Sequence, residues 1–124
     1  MRLYTKDHTW VEADGNLARM GISDFAQAEL GEIAYVELPE PGTRVVRGEV
    51  VCTVDSLKSS SEIYAPVSGV VADVNTALAS EENCALVNRD PLGEGWFVVI
   101  EMQDRRELDL LLTEEAYASY TTGG

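Results

Sequence analysis

Basic residues are scarce in this chain. Nine Lys plus Arg face 22 Asp plus Glu, for a formal net charge of −13, and only Lys6 and Lys58 are lysines. Such a surface repels phosphates, which excludes nucleic-acid binding. The acidity favours partners that carry basic patches. Histidine is scarcer still, since His8 stands alone. One imidazole leaves little for a Ser-His or Cys-His nucleophile pair, so His8 is read as a packed or capping residue. The two cysteines, Cys52 and Cys84, define no disulfide framework. With one histidine added they do not make a zinc set, so no metal is expected.

Other signatures are missing too. No apolar run approaches the roughly 20 residues that cross a bilayer, so no membrane span is expected. The opening Met1-Arg2-Leu3-Tyr4-Thr5-Lys6-Asp7 lacks the apolar stretch of a signal peptide, which predicts a cytoplasmic location. No Gly-Lys-Ser/Thr loop, G-x-G-x-x-G, H-E-x-x-H or G-x-S-x-G is present. Carboxylates are plentiful enough to pair by chance, and most read as a solvated face.

What remains is a globular composition, 45% apolar over 124 residues, enough for one domain spanning 1–124 with its own core. The pattern is mostly short strands between turn signals. Asp14-Gly15 separates two strand-like runs and predicts a hairpin. Ser23 or Asp24 can cap a helix over 24–30, with Gly31 placed as a left-handed C-cap. Pro39-Glu40-Pro41-Gly42 forces a turn. Valine-rich runs flank Gly48, and Pro66 and Gly69 punctuate the next strands. Asn75 can cap a helical turn over 76–80. Asn88 to Gly95 reads as a loop, and Trp96 to Met102 as the most apolar strand. Asp104-Arg105-Arg106-Glu107 has the form of a capping box opening a helical segment over 105–120, with Leu108, Leu111 and Leu112 on one face. Thr113-Glu114-Glu115 can restart a second short helix carrying Tyr117 and Tyr120, and Thr121 to Gly124 are expected to fray. Cys52 is expected to be buried as a small hydrophobe. Trp10 and Trp96 are expected in the core or lining a cleft.

A faint echo links Val46-Arg47-Gly48-Glu49-Val50-Val51 with Val67-Ser68-Gly69-Val70-Val71-Ala72. Between its halves lies Val54-Asp55-Ser56-Leu57-Lys58-Ser59-Ser60-Ser61-Glu62-Ile63-Tyr64-Ala65-Pro66. A lysine in a turn of small polar residues, between two β-rich segments, is an accessible amine.

Here the chain resembles a known family, over nearly its whole length. Tyr4-Thr5-Lys6-Asp7-His8-Thr9-Trp10-Val11 is similar to Tyr-(Thr/Ala)-x-x-His-Glu-Trp-Val, with Thr9 in place of the usual glutamate. Gly21-Ile22-Ser23-Asp24-Phe25-Ala26-Gln27 is similar to Gly-Ile-Thr-Asp-x-Ala-Gln. Leu30-Gly31-Glu32-Ile33-Ala34-Tyr35-Val36-Glu37-Leu38-Pro39, the lysine segment, and Asn88-Arg89-Asp90-Pro91-Leu92-Gly93-Glu94-Gly95-Trp96 follow in family order. These blocks resemble the H proteins of the glycine cleavage system, a family of lipoyl carriers.

The resemblance implies a mainly β fold: the flattened β-barrel, or barrel-sandwich hybrid, of biotinyl and lipoyl domains, with short helices near 24–30, 76–80 and 105–120. It implies lipoate in amide linkage on Lys58. Asp55 and Glu62 would lie near the arm, with Glu62 helping to hold the aminomethyl ammonium in a surface cleft. The carrier would take an aminomethyl group from glycine decarboxylase (P protein) to aminomethyltransferase (T protein). It would then be reoxidised by dihydrolipoamide dehydrogenase (L protein). A lipoate ligase or lipoyltransferase would load it. The carrier itself would be no enzyme. The alternative is an H-like carrier used in lipoyl relay or another lipoate-dependent process. A biotin carrier fits less well, because Leu57 and Ser59 stand where methionines flank the biotinyl lysine. A lipoyl domain of a 2-oxo-acid dehydrogenase lacks the extra N- and C-terminal blocks.

Overall fold

A computed structural model describes residues 2–122, except for the side chains of Glu81 and Thr122. Two antiparallel sheets form the body. The larger takes strands β1 (Arg2–Tyr4), β2 (Thr9–Asp14), β3 (Leu17–Ile22), β5 (Arg44–Val45), β8 (Gly69–Val74) and β9 (Val98–Met102), in the order β1-β2-β3-β9-β8-β5. The smaller takes β4 (Ile33–Glu37), β6 (Val50–Ser56) and β7 (Ser60–Tyr64), in the order β4-β6-β7. Both sheets contribute to one buried cluster: Val11, Met20, Ile22, Val71 and Ile100 from the larger, Val36, Val54 and Ile63 from the smaller. The sheets are not closed on each other by strand pairing. This is the flattened barrel-sandwich architecture that the sequence led us to expect.

Local chemistry accounts for the elements. The β2–β3 hairpin turns through Gly15 at φ 60°, with Asp14 paired to Leu17. That is the position where a type II′ turn favours glycine. Helix α1 (Asp24–Leu30) starts at Ser23, whose Oγ accepts the Ala26 N–H at 3.1 Å. Asn75 caps the 3₁₀ turn over Thr76–Ala79 in the same way. The two echoing segments abut: the Arg47 N–H donates to Ser68 Oγ at 2.9 Å, and β5, just before the first segment, pairs with β8. At Gly69 a Cβ would collide with the Glu101 carbonyl, so the β8–β9 approach requires glycine.

Several expectations need correction. Asn88 does not open a loop; it lies in helix α2 (Ala85–Arg89), whose Val87 and preceding Cys84 are fully buried. Burial of these apolar side chains favours the helix although Cys84 provides no side-chain cap. The strand after that segment begins at Val98 rather than Trp96. Asp104 and Glu107 form no capping box. Asp104 accepts the Arg106 N–H, while the Glu107 carboxylate accepts from the Ser68 N–H and Oγ–H at 2.7 and 3.1 Å. The segment Arg105–Leu110 is accordingly 3₁₀, and helix α3 (Glu114–Thr122) follows it as the second short helix expected from Thr113 onward. Leu108 and Leu111 pack on the main core, whereas Leu112 packs on a second cluster. Finally, Gly31 ends α1 at φ 80° and ψ −155°, with positive φ but outside the left-handed helical well. Thr121 and Thr122 continue α3, and the rest of the expected frayed end lies outside the described residues.

The second cluster sits on the outer face of the larger sheet. Tyr4, opposite Trp10 across β1–β2, stacks on Tyr117 of α3 with ring centroids 4.2 Å apart. Trp10 is fully buried and its indole N–H donates to the Pro91 carbonyl at 2.8 Å. Trp96 packs beside it, partly buried.

Candidate functional site

Lys58 stands at the tip of the β6–β7 hairpin, exposed, beside Leu57 at 72% exposure. The strands beneath it are firmly registered: Cys52, Thr53, Val54 and Asp55 oppose Ile63, Glu62, Ser61 and Ser60. Val54 and Ile63 point into the core. The tip is organised by one hydroxyl. Ser56 Oγ accepts the Lys58 N–H at 3.3 Å and the Ser59 N–H at 3.1 Å, and the Ser56 N–H donates to the Ser59 carbonyl at 2.8 Å. Small polar residues at this turn thus satisfy the backbone groups that lose their ladder partners.

The structure brings Asp55 and Glu62 onto one surface. Residues opposite each other across a ladder share a face. The outer face of the smaller sheet therefore carries Tyr35, Asp55 and Ser60 in one row and Glu37, Thr53 and Glu62 in the next. Asp55 Oδ1 accepts the Ser60 hydroxyl at 2.6 Å. Among the described residues neither Asp55 nor Glu62 forms an ion pair with Lys58. A surface cleft of about 370 Å³ lies at the far end of β7, where Ala65 and Pro66 meet Lys6 and Arg47. Lys58, Asp55 and Glu62 do not line it.

The base of the hairpin tip rests on the corner between α1 and β4. The Leu57 N–H donates to the Glu32 carbonyl at 3.0 Å. A Cβ on Gly31 would sit 3.4 Å from Lys58 Cε. Asn88 of α2 holds the corner from behind: its Oδ1 accepts the Ile33 N–H at 2.9 Å, and its Nδ2 donates to the Gly31 carbonyl at 2.8 Å and Gln27 Oε1 at 2.9 Å. Sequence reasoning gave Asn88 no role. Its only local sign was membership of the Asn88-to-Trp96 block.

The remaining polar residues are structural. Thr9 is buried, and its hydroxyl finds no hydrogen-bond partner among the described residues. His8 adopts φ 68°, stacks on Phe25 and places Nδ1 2.7 Å from Tyr117 Oη, in the packed role expected of it. Burial lowers its pKa from the usual histidine value. Cys52 is buried as expected, and that burial pushes its thiol up to about 12. Cys84 is buried against the Leu78 and Ser80 carbonyls. Among the described residues no group of three or more His, Cys, Asp or Glu is placed to hold a metal. No helix there is long and apolar enough to cross a membrane.

Comparison with known proteins agrees on one family. The sequence profile described as "Glycine cleavage H-protein" matches residues 2–123. The chain is 46% identical over 121 residues to the "Glycine cleavage system H protein" of Geobacillus thermodenitrificans, covering 98% of this chain and 94% of that one. It is 48% identical over 116 residues to the protein of the same description from Thermus thermophilus, covering 94% and 89%. Among solved structures, a glycine cleavage system H protein from Mycobacterium marinum superposes with a TM-score of 0.85 at 35% identity, covering 97% of this chain and 95% of that one.

Proposed function

Because the chain belongs to the glycine cleavage H-protein family, we propose that its working group is the Lys58 amine and that this amine carries lipoate in amide linkage. The protein is a lipoyl carrier of glycine cleavage. The observation that carries the Lys58 assignment is the exposed amine on a hairpin tip whose backbone is pinned by Ser56 and by the Glu32 carbonyl. Lys6, the other lysine, is likewise exposed, in the β1–β2 turn, but it falls at a position that the family pattern Tyr-(Thr/Ala)-x-x-His leaves open.

The residues present fit such a group. Small Ser59 and Ser60 beside Lys58 leave room for an acylating enzyme, and Gly31 leaves the lysine stem uncrowded. When bound, lipoate supplies a redox-active disulfide end that takes up and gives up a one-carbon amine unit. The chain's own part is to hold the attachment point on a rigid ladder, so that a long arm starts from a fixed place. We read Asp55 and Glu62 as the acidic face beside the arm's root. Asp55 is already engaged with Ser60, so Glu62 is the freer carboxylate for a cationic group on the arm or on a partner. Glycine decarboxylase, aminomethyltransferase, dihydrolipoamide dehydrogenase and a lipoate ligase or lipoyltransferase complete this reading as partners, in the cytoplasm, with the carrier itself non-catalytic. The core shared by both sheets supports treating 1–124 as one carrier domain.

Intact-mass spectrometry after incubation with lipoate, ATP and a lipoate ligase tests the reading. One lipoyl adduct, localised to Lys58 by fragmentation, is expected, and glycine–bicarbonate exchange with the decarboxylase should then depend on it. No adduct, or an adduct on Lys6, would overturn it.

A further inference from the structure

The lysine side chain is not simply hung in solvent. Gly31 takes φ 80°, where a side chain is strained, and the Lys58 stem lies within van der Waals reach of its bare Cα face. A methyl group there would stand 3.4 Å from Cε and 3.9 Å from Nζ. The neighbouring Leu57 N–H is tied to the Glu32 carbonyl, and Ser56 pairs with Ile33, so the tip is fixed to this corner through the two residues that follow Gly31.

The corner in turn depends on one side chain. A carboxamide has one acceptor and two donors to offer, and Asn88 spends them on three partners in two elements: the β4 start at Ile33, and in α1 its end at Gly31 and Gln27 one turn earlier. No other residue type of this size supplies both functions in this geometry. Aspartate loses the donors, and leucine loses all three bonds.

Resting on the lipoyl reading above, we propose that Gly31 and Glu32 form a seat for the acceptor lysine, and that Asn88 and Gly31 are positioning residues for its acylation. The enzyme that loads the carrier meets an amine held in a limited arc, and it does not have to order a four-carbon stem and a swaying turn at the moment of reaction. Neither residue touches the acyl donor; both act through Lys58.

The test uses the full unmodified chain with lipoate, ATP and a lipoate ligase, and reads kcat and KM for the carrier. Asn88→Ala is expected to lower kcat about tenfold with little change in KM, because the docking face is intact and the amine is misplaced. Gly31→Ala should do the same, and Asn88→Asp should lie between. The two-lysine composition supplies an internal control: acetylation by N-acetoxysuccinimide gives a Lys58-to-Lys6 ratio that should change severalfold in Asn88→Ala. Gln27→Ala, which removes one partner of Asn88, should give a smaller shift in the same direction and serves if Asn88→Ala does not fold. Unchanged kcat and an unchanged ratio in these variants overturn the proposal. So does a loss of kcat matched by Ile100→Val, a core change in the other sheet, at equal melting temperature. If the wild-type chain accepts no lipoate, the lipoyl reading fails by itself, and the acetylation ratio still decides whether the seat exists.

Discussion

Tyr117 Oη lies 2.7 Å from Ser23 Oγ, two hydroxyls separated by 94 positions in sequence. Ser23 is also the N-cap of α1, and Tyr117 reaches His8 Nδ1 at the same distance. The C-terminal helix is thereby fastened to the cap of the helix whose other end seats Lys58. Tyr117→Phe keeps the ring stacked on Tyr4 but deletes the hydroxyl. It should cost about 1–2 kcal/mol, seen as a lower urea midpoint with an unchanged slope. Combined with Ser23→Ala, the losses should fall short of additive, since both remove the same contact.

Stability should fall on mild acidification, and His8 is the reason. Its folded pKa is below the usual histidine value because burial disfavours the imidazolium; Asp7 and Glu29 oppose that shift less strongly. The unfolded chain therefore binds the proton more readily. The contribution is fully present above about pH 6.5 and is lost as pH falls through the lower folded value. Urea midpoints at pH 7.5 and 5.5 should show this loss in the wild type. His8→Asn, which tolerates the positive φ, should flatten that part of the profile.

Lys58→Arg should leave the fold within about 0.5 kcal/mol of wild type, because the side chain is exposed and forms no ion pair among the described residues, while abolishing the lipoyl adduct. Ser56→Ala should act differently. It deletes the oxygen that accepts from both Lys58 and Ser59. Amide exchange at those two positions should accelerate while the strands on either side stay protected.

Neither cysteine should react with a disulfide reagent in the native state at pH 8. Cys52 is held as the thiol with its pKa near 12, and Cys84 is fully buried. Reaction with Ellman's reagent should follow global unfolding, with both thiols appearing together as urea is raised.

Elements with local causes could be read from the sequence. Gly15 in its hairpin, Ser23 and Asn75 as caps, and the lysine turn of small polar residues each carry their instruction within four residues. Helix α2 was not legible, because Cys84 offers no side-chain cap and the helix is favoured by burial of Cys84 and Val87 in a core built from distant strands. The supposed capping box failed for a similar reason. Glu107 is taken by Ser68, 39 positions away, and no local pattern announces that competition. For the candidate site, the turn position of Lys58 was legible, but the hold of Asn88 on Gly31 and Ile33 was not. Those bonds span 57 and 55 positions and exist only after α2 docks.

Tyr4 and Leu112 exchange backbone hydrogen bonds in both directions, 2.8 and 2.7 Å long, and His8 meets Tyr117 across 109 positions. During synthesis on a ribosome, the lysine hairpin emerges whole while this clasp still lacks its second half. The larger sheet's outer face can be covered only when the last helix leaves the exit tunnel. Closure of the molecule is therefore a late, long-loop event, and a chain stalled before Leu112 would expose Trp10 and Tyr4 to whatever chaperone or protease is near.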